Sequence, residues 1–139
     1  MDLVIDANVV VSALLADKGG TRSLMLSSDL RLFAPDFLLC ELEEHKDEIL
    51  EKSGISLEEF GLALSIVSSR IKFVPLQEFE QSLSEASQIC PDPDDTEYLA
   101  LALARKIHLW SDDRRLKRQA RVLVYSTREL FTIMPEDGR

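Results

Sequence analysis

Apolar residues fall along this chain in two alternating rhythms. Leu3-Val4-Ile5 is a short continuous apolar run, the pattern of a strand buried on both faces, and Asn8–Leu15 then carries helical spacing. Asp17-Lys18-Gly19-Gly20 reads as a loop and Thr21–Ser28 as a short helix. Arg31–Ala34 is a second candidate strand, closed by Pro35. Asp36 is placed to cap a helix reaching about Lys52, with an apolar stripe of Leu38, Leu39, Leu42 and Ile49. Ser53-Gly54-Ile55-Ser56 breaks it, and Ser56 with Glu59 has capping-box spacing for a helix to about Arg70. Ile71–Val74, ended by Pro75, is a third strand, and Leu76–Ile89 is again helical in pattern.

Pro91-Asp92-Pro93 enforces a break. Asp94 then opens a helix through Lys106, with Glu97 in capping-box position. Ile107–Trp110 reads as a fourth strand, Arg114–Ala120 as a helix, Val122–Tyr125 as a fifth strand and Thr127–Phe131 as a closing helix. No repeat, linker or low-complexity segment interrupts the series. Strands separated by helices predict a single α/β domain spanning 1–139, with its core at about 2–131. The expected architecture is three α/β/α layers around a parallel sheet of about five strands, joined by right-handed crossovers.

Composition narrows the class. A chain of 139 residues suits one domain with a real core. The longest apolar run, Tyr98–Ala104, is far too short to span a bilayer, and the start lacks the pattern of a signal peptide. The expectation is a soluble cytoplasmic protein without a membrane partner. Cys40 and Cys90 lack metal-ligand spacing and are expected as buried small hydrophobes in a reducing compartment.

A net charge of −9 argues at first sight against nucleic acid. Its distribution argues otherwise. Residues 1–104 hold 7 Lys and Arg against 20 Asp and Glu, whereas residues 105–139 hold 9 against 5. Arg114, Arg115, Lys117, Arg118 and Arg121 fall within eight residues, directly after Asp112-Asp113. Such a basic segment beside an acidic site suits a phosphate polyanion, although the same pattern also describes a solvated helix face.

Four acidic stations carry the candidate chemistry: Asp6, Glu41, Asp95 and the Asp112-Asp113 pair. Parallel strands end at one edge of their sheet, and the helices that follow begin there. Asp6 ends strand one, Asp112-Asp113 follow strand four, Asp95 opens a helix, and Glu41 lies one or two turns into its own. Topology alone therefore brings them to the carboxyl edge, where open α/β sheets bind ligands. Carboxylates so gathered repel by roughly 4 kcal/mol per close pair near a surface, which a divalent cation between them would relieve. Each acid also has a plainer reading, as an N-cap, a helix-dipole partner or solvated surface. Asp6 is the hardest to explain that way, because it ends a buried strand.

These stations, in this order, resemble the PIN domain family of metal-dependent ribonucleases, in particular its small single-domain branch that includes VapC-type toxins. LVIDANVVVSALL is similar to the family's first motif, with Asp6, Asn8 and Ser12 at its positions. APDFLLCELEEH is similar to the second, with Glu41. CPDPDDTEYLALALARKIHLWSDDRRL is similar to the third and fourth, with Asp95, Ser111 and Asp113. Ala7 stands where Thr is frequent, Trp110 is bulkier than usual, and Asp112 occupies a position commonly Gly or Asn. Asp113 keeps the family register with Leu116, and Asp112 is the alternative fourth ligand.

The resemblance implies that Asp6, Glu41, Asp95 and Asp113 hold one or two Mg²⁺ or Mn²⁺ ions, and that metal-activated water cleaves phosphodiester bonds of single-stranded RNA. Asn8, Ser12 and Ser111 would orient acids or water. Arg114, Arg115, Lys117, Arg118 and Arg121 would grip RNA, while His45 and His108 would be incidental. Implied partners are RNA, a second copy of the chain in a homodimer, and an antitoxin if the protein is the toxin of a type II toxin–antitoxin pair. Two alternatives stand beside this reading. One is a non-catalytic PIN-like module that binds RNA or protein. The other is a haloacid-dehalogenase-like phosphohydrolase with Asp6 as nucleophile, a family that expects a second Asp where this chain has Asn8.

Overall fold

The computed structural model describes residues 1–15 and 20–134. Of the loop expected at 17–20, Asp17, Lys18 and Gly19 lie outside the described residues. Five strands form one parallel sheet: β1 (Asp2–Ile5), β2 (Arg31–Pro35), β3 (Ile71–Val74), β4 (His108–Trp110) and β5 (Val124–Tyr125), in the order β3-β2-β1-β4-β5. Leu3, Val4 and Ile5 are completely buried, as befits the central strand of a sheet covered on both faces. The helices α1 (Ala7–Leu14), α2 (Thr21–Met25), α3 (Phe37–Glu44) and α5 (Leu57–Ser69) pack together, α1 touching each of the other three. Opposite them, α6 (Leu83–Ile89) lies against α7 (Thr96–Arg105), which crosses β1, β2 and β4. Tyr98 through Ala102 are all buried, so α7 is a core helix closed in on every side. The three-layer α/β/α sandwich with five parallel strands is thus the architecture the alternating pattern predicts.

Element boundaries depart from the pattern where side chains compete with the backbone. The helix expected over 36–52 is two, α3 and α4 (Lys46–Ser53), broken at His45. In a continuous helix Glu43 and Asp47, and Glu44 and Glu48, would stand four residues apart on one face, and like charges so placed oppose continuation. Asp36 is itself helical in conformation and makes no side-chain cap, and Leu39 points outward at 44% exposure rather than joining the stripe. The segment Leu76–Ile89 is not one helix: two 3-10 turns flank the buried Phe79 before α6 begins. Asp92, not Asp94, caps the turn that leads into α7, accepting from the Asp94 N–H at 3.0 Å, because Pro93 starts the helical turn one residue early. The expected capping box between Asp94 and Glu97 is therefore not formed.

The basic segment is a single 3-10 turn, Arg114–Arg118, not a helix to Ala120. Gln119 explains it. Its amide donates to the Leu116 and Val122 carbonyls, each at 2.8 Å, and accepts from the Arg121 and Val122 N–H groups, which satisfies an irregular turn from within. Val122 consequently stays outside β5. Cys40 is exposed and Cys90 half-buried, both as free thiols, so only Cys90 approaches the buried role expected of the pair. No helix among the described residues is long and apolar enough to cross a membrane.

Candidate active site

The strand order reverses at the centre of the sheet. From β1 the chain steps outward to β2 and β3, then returns across to β4 and β5 on the other side. A crevice forms at the carboxyl ends of β1 and β4, the usual ligand position of such sheets. Asp6 leaves β1 there and caps α1, its Oδ1 accepting from the Val9 N–H at 2.9 Å. Its Oδ2 accepts from the Ser111 hydroxyl, directly after β4. Ser111 in turn accepts from the Asp113 N–H at 3.1 Å, so one buried hydroxyl ties the two strand ends together.

Asp6 is 2% exposed, and burial pushes its pKa up to about 6 despite the bonds from Ser111 and Val9; Asp95 and Asp112 push it the same way. Asp95 begins α7 without capping it and is also raised to about 6, first by burial and then by the charges of Asp92 and Asp113. Glu41 accepts a 2.6 Å hydrogen bond from the hydroxyl of Tyr98, which is buried and ring-packed against Phe37 at 5.4 Å. Burial raises the Glu41 carboxyl and the Tyr98 bond opposes that rise. Glu97 is raised as well, by burial and by Glu41. Acids from β1, α3 and the segment before α7 thus sense one another's charge in one crevice.

Asp113 is the exception. Arg115 donates to it from its backbone N–H at 3.0 Å, from Nε at 3.2 Å and from Nη2 at 2.9 Å, and these bonds lower its pKa. The same Nη2 reaches Asp92 at 3.1 Å. A guanidinium of the chain itself therefore sits between two carboxylates of the cluster.

Asp112 is engaged outside this arrangement, although its charge is felt at Asp6. Its two oxygens accept from the N–H and hydroxyl of Thr127, at 2.7 and 2.8 Å, at the first residue of α8 (Thr127–Ile133). The Thr127 hydroxyl also accepts from the Trp110 indole at 3.0 Å. Replacing Asp112 with Ala should destabilise the fold by about 1–2 kcal/mol, the loss of two hydrogen bonds that hold the start of α8, and leave Mn²⁺ affinity unchanged. Calorimetric titration and urea unfolding measure the two effects, and a fall in affinity would make Asp112 a ligand after all.

Of the remaining candidates, Asn8 is exposed at a cavity of about 340 Å³ between α1 and α3–α4, with Glu41, Leu42 and His45 on its far wall. The Ser12 hydroxyl donates to the Asn8 carbonyl at 3.1 Å and reaches none of the acids. Lys117 pairs with Glu129, and Arg121 with Glu85 at 2.9 Å. With Arg115, three of the five bases are held by acids of the chain. His108 is exposed and sits edge-on to Tyr125, while His45 pairs with Glu48 at 3.6 Å.

Sequence reading passed over Asp92, Glu97 and Tyr98 as members of this cluster. Tyr98 had a signal: it is the one polar-tipped residue of its apolar run, one helical turn beyond Asp95. Asp92 stands within the Pro91-Asp92-Pro93 break, and the prolines on both sides fix its position.

The donor set, carboxylate oxygens from separate segments, is what a hard divalent cation takes. Asp6 is buried and Asp95 half-buried in this crevice, and oxygen donors so placed suit such an ion in kind. Among the described residues no three His, Cys, Asp or Glu side chains stand arranged to hold one together. Asp113 is turned to Arg115, and Glu41 is held by Tyr98.

Comparison with known proteins bears on the fold and the family. No curated protein matches the chain. Solved structures do match, among them a chain of VapBC2 from Rickettsia felis bound to a DNA fragment from their promoter. That chain superposes with a TM-score of 0.67 at 16% identity, over 91% of this chain and 98% of the other. The likeness is one of fold. A family model for the PIN domain matches residues 4–130, which takes in Asp6, Glu41, Asp95 and Asp113 together, and the chain belongs to the PIN domain family.

Proposed function

We propose that this PIN domain is a ribonuclease that cleaves single-stranded RNA in the presence of Mg²⁺ or Mn²⁺. Asp6, Glu41, Asp95 and Asp113 would hold one or two ions, directly or through water. When bound, the ion acidifies water and stabilises charge on the leaving oxygen. The observation that carries this reading is the position of Asp6, a carboxyl 2% exposed at the carboxyl ends of β1 and β4, with the half-buried Asp95 near enough for its charge to be felt there. Burying carboxylates next to each other is unfavourable without a cation to offset it.

The chain's own residues prepare the site. Ser111 aims Asp6 and links it to the backbone of Asp113. Tyr98 fixes one oxygen of Glu41 and leaves the other free. Asn8, exposed beside Glu41 at the cavity mouth, offers a donor and an acceptor to the substrate.

The VapBC2 likeness supports a place for the protein as the toxin of a toxin–antitoxin pair, acting with RNA and restrained by an antitoxin protein. The exposed Leu62 and Ile66, one turn apart on α5, offer an apolar patch for a homodimer. Incubation of the purified protein with labelled single-stranded RNA tests the central claim: cleavage should require Mn²⁺ or Mg²⁺ and stop with EDTA. RNA bound but left uncut at every divalent ion tried would instead make this a non-catalytic binding module.

A further inference from the structure

We infer that Arg114 and Arg128 form a subsite for a phosphate of the RNA strand that flanks the scissile one, a role for Arg128 that its distance from the basic run conceals. The inference rests on the ribonuclease reading above. A cavity of about 520 Å³ opens beside Asp113, between the turn that follows β4 and the start of α8. Its acids are already engaged: Asp112 by Thr127, Asp113 by Arg115, and Glu129 by Lys117 and the Ser126 N–H. Lys117 is engaged by the same pair.

Two arginines on the cavity wall remain. Among the described residues, neither the Arg114 nor the Arg128 side chain has a hydrogen bond or an ion pair, and both are exposed. Arg114 directly follows Asp113, whereas Arg128 comes from α8 and is brought alongside by the Asp112–Thr127 clasp at the preceding residue. Guanidinium groups with every N–H unspent, facing one cavity next to a proposed metal ligand, match the forked geometry of a phosphate. The five-base run therefore divides: Arg115, Lys117 and Arg121 pair with acids of the chain, Arg118 lies off the cavity wall, and Arg114 faces the cavity, where Arg128 joins it.

Binding of a short labelled single-stranded RNA, measured in EDTA over a range of salt, separates these roles. Each lost phosphate contact should flatten the plot of log affinity against log salt by about 0.7, so Arg114→Gln with Arg128→Gln flattens it by about 1.4. Arg121→Gln should keep the wild-type slope. In Mn²⁺ the double variant should raise KM and leave kcat in place. A wild-type slope in the double variant, or an equal loss in Arg121→Gln, would overturn the subsite while leaving a cleaving enzyme intact. A wild-type protein that neither binds nor cuts RNA would overturn the ribonuclease reading itself. Both arginines are exposed, so unchanged melting curves should certify the fold, and the single variants serve if the double one melts early.

Discussion

Asp6→Asn is expected to reduce cleavage by more than about 100-fold and at the same time to stabilise the protein. Residues that merely support metal ligands are worth 10- to 100-fold in activity, roughly, and Asp6 is proposed as a ligand itself. The gain in stability follows from its pKa. A carboxyl that ordinarily titrates at 3.8 and is pushed up to about 6 binds its proton more tightly in the folded protein than in the unfolded chain. The resulting penalty is nil below about pH 3.8, grows as pH rises through the folded value near 6, and is complete above it. It amounts to at most about 3 kcal/mol for this 2%-exposed side chain. Asn is neutral at every pH and can still accept from the Val9 N–H. Urea unfolding in EDTA should therefore show the variant more stable at pH 7 and indifferent below pH 4. Wild-type cleavage by a folded Asn variant would end the proposed mechanism, and equal stability at pH 7 would mean that Asp6 is not dehydrated as described.

Arg115→Gln is expected to bind Mn²⁺ about tenfold more tightly than the wild type. In the structure the guanidinium spans Asp113 and Asp92, and Asp95 beside them remains crowded and raised. An ion that takes Asp113 must first displace that arginine. The Arg115 side chain is 52% exposed, so solvent screens both pairs and holds the gain to about one order of magnitude in affinity. Calorimetric titration with Mn²⁺ reads this directly. Weaker binding by the variant would reverse the assignment, making Arg115 a brace that presents Asp113 to the ion instead of a competitor for it.

Much of this was legible in the chain because it depends on periodicity. The uninterrupted Leu3-Val4-Ile5 and the all-apolar face of α7 declare a sheet covered on both sides, and the order of strands and helices carries the acids to one edge without any knowledge of side-chain contacts. What escaped reading depends on single polar atoms. The Gln119 amide replaces a helix with a turn, the Glu43–Asp47 and Glu44–Glu48 repulsions divide another, and Pro93 moves a cap from Asp94 to Asp92. The same holds at the site. Asp6 and Asp95 announce themselves by position, whereas the Tyr98 hydroxyl on Glu41 and the Arg115 fork on Asp92 and Asp113 are distances, and spacing in sequence does not encode them.

The adjacent pair Asp112-Asp113 has one more consequence. Successive side chains of an extended segment leave it in opposite directions. Past Trp110 the first acid turns to the start of α8 and the second to the crevice, and the clasp on Thr127 holds that phase. Two identical residues side by side are thus not interchangeable copies, and neither is a spare. Deleting one residue between Trp110 and Leu116 would keep an acid in the segment but shift its parity, pointing chemistry at the helix and a helix cap at the substrate. The chain length between these two landmarks therefore decides which acid meets the helix and which meets the crevice.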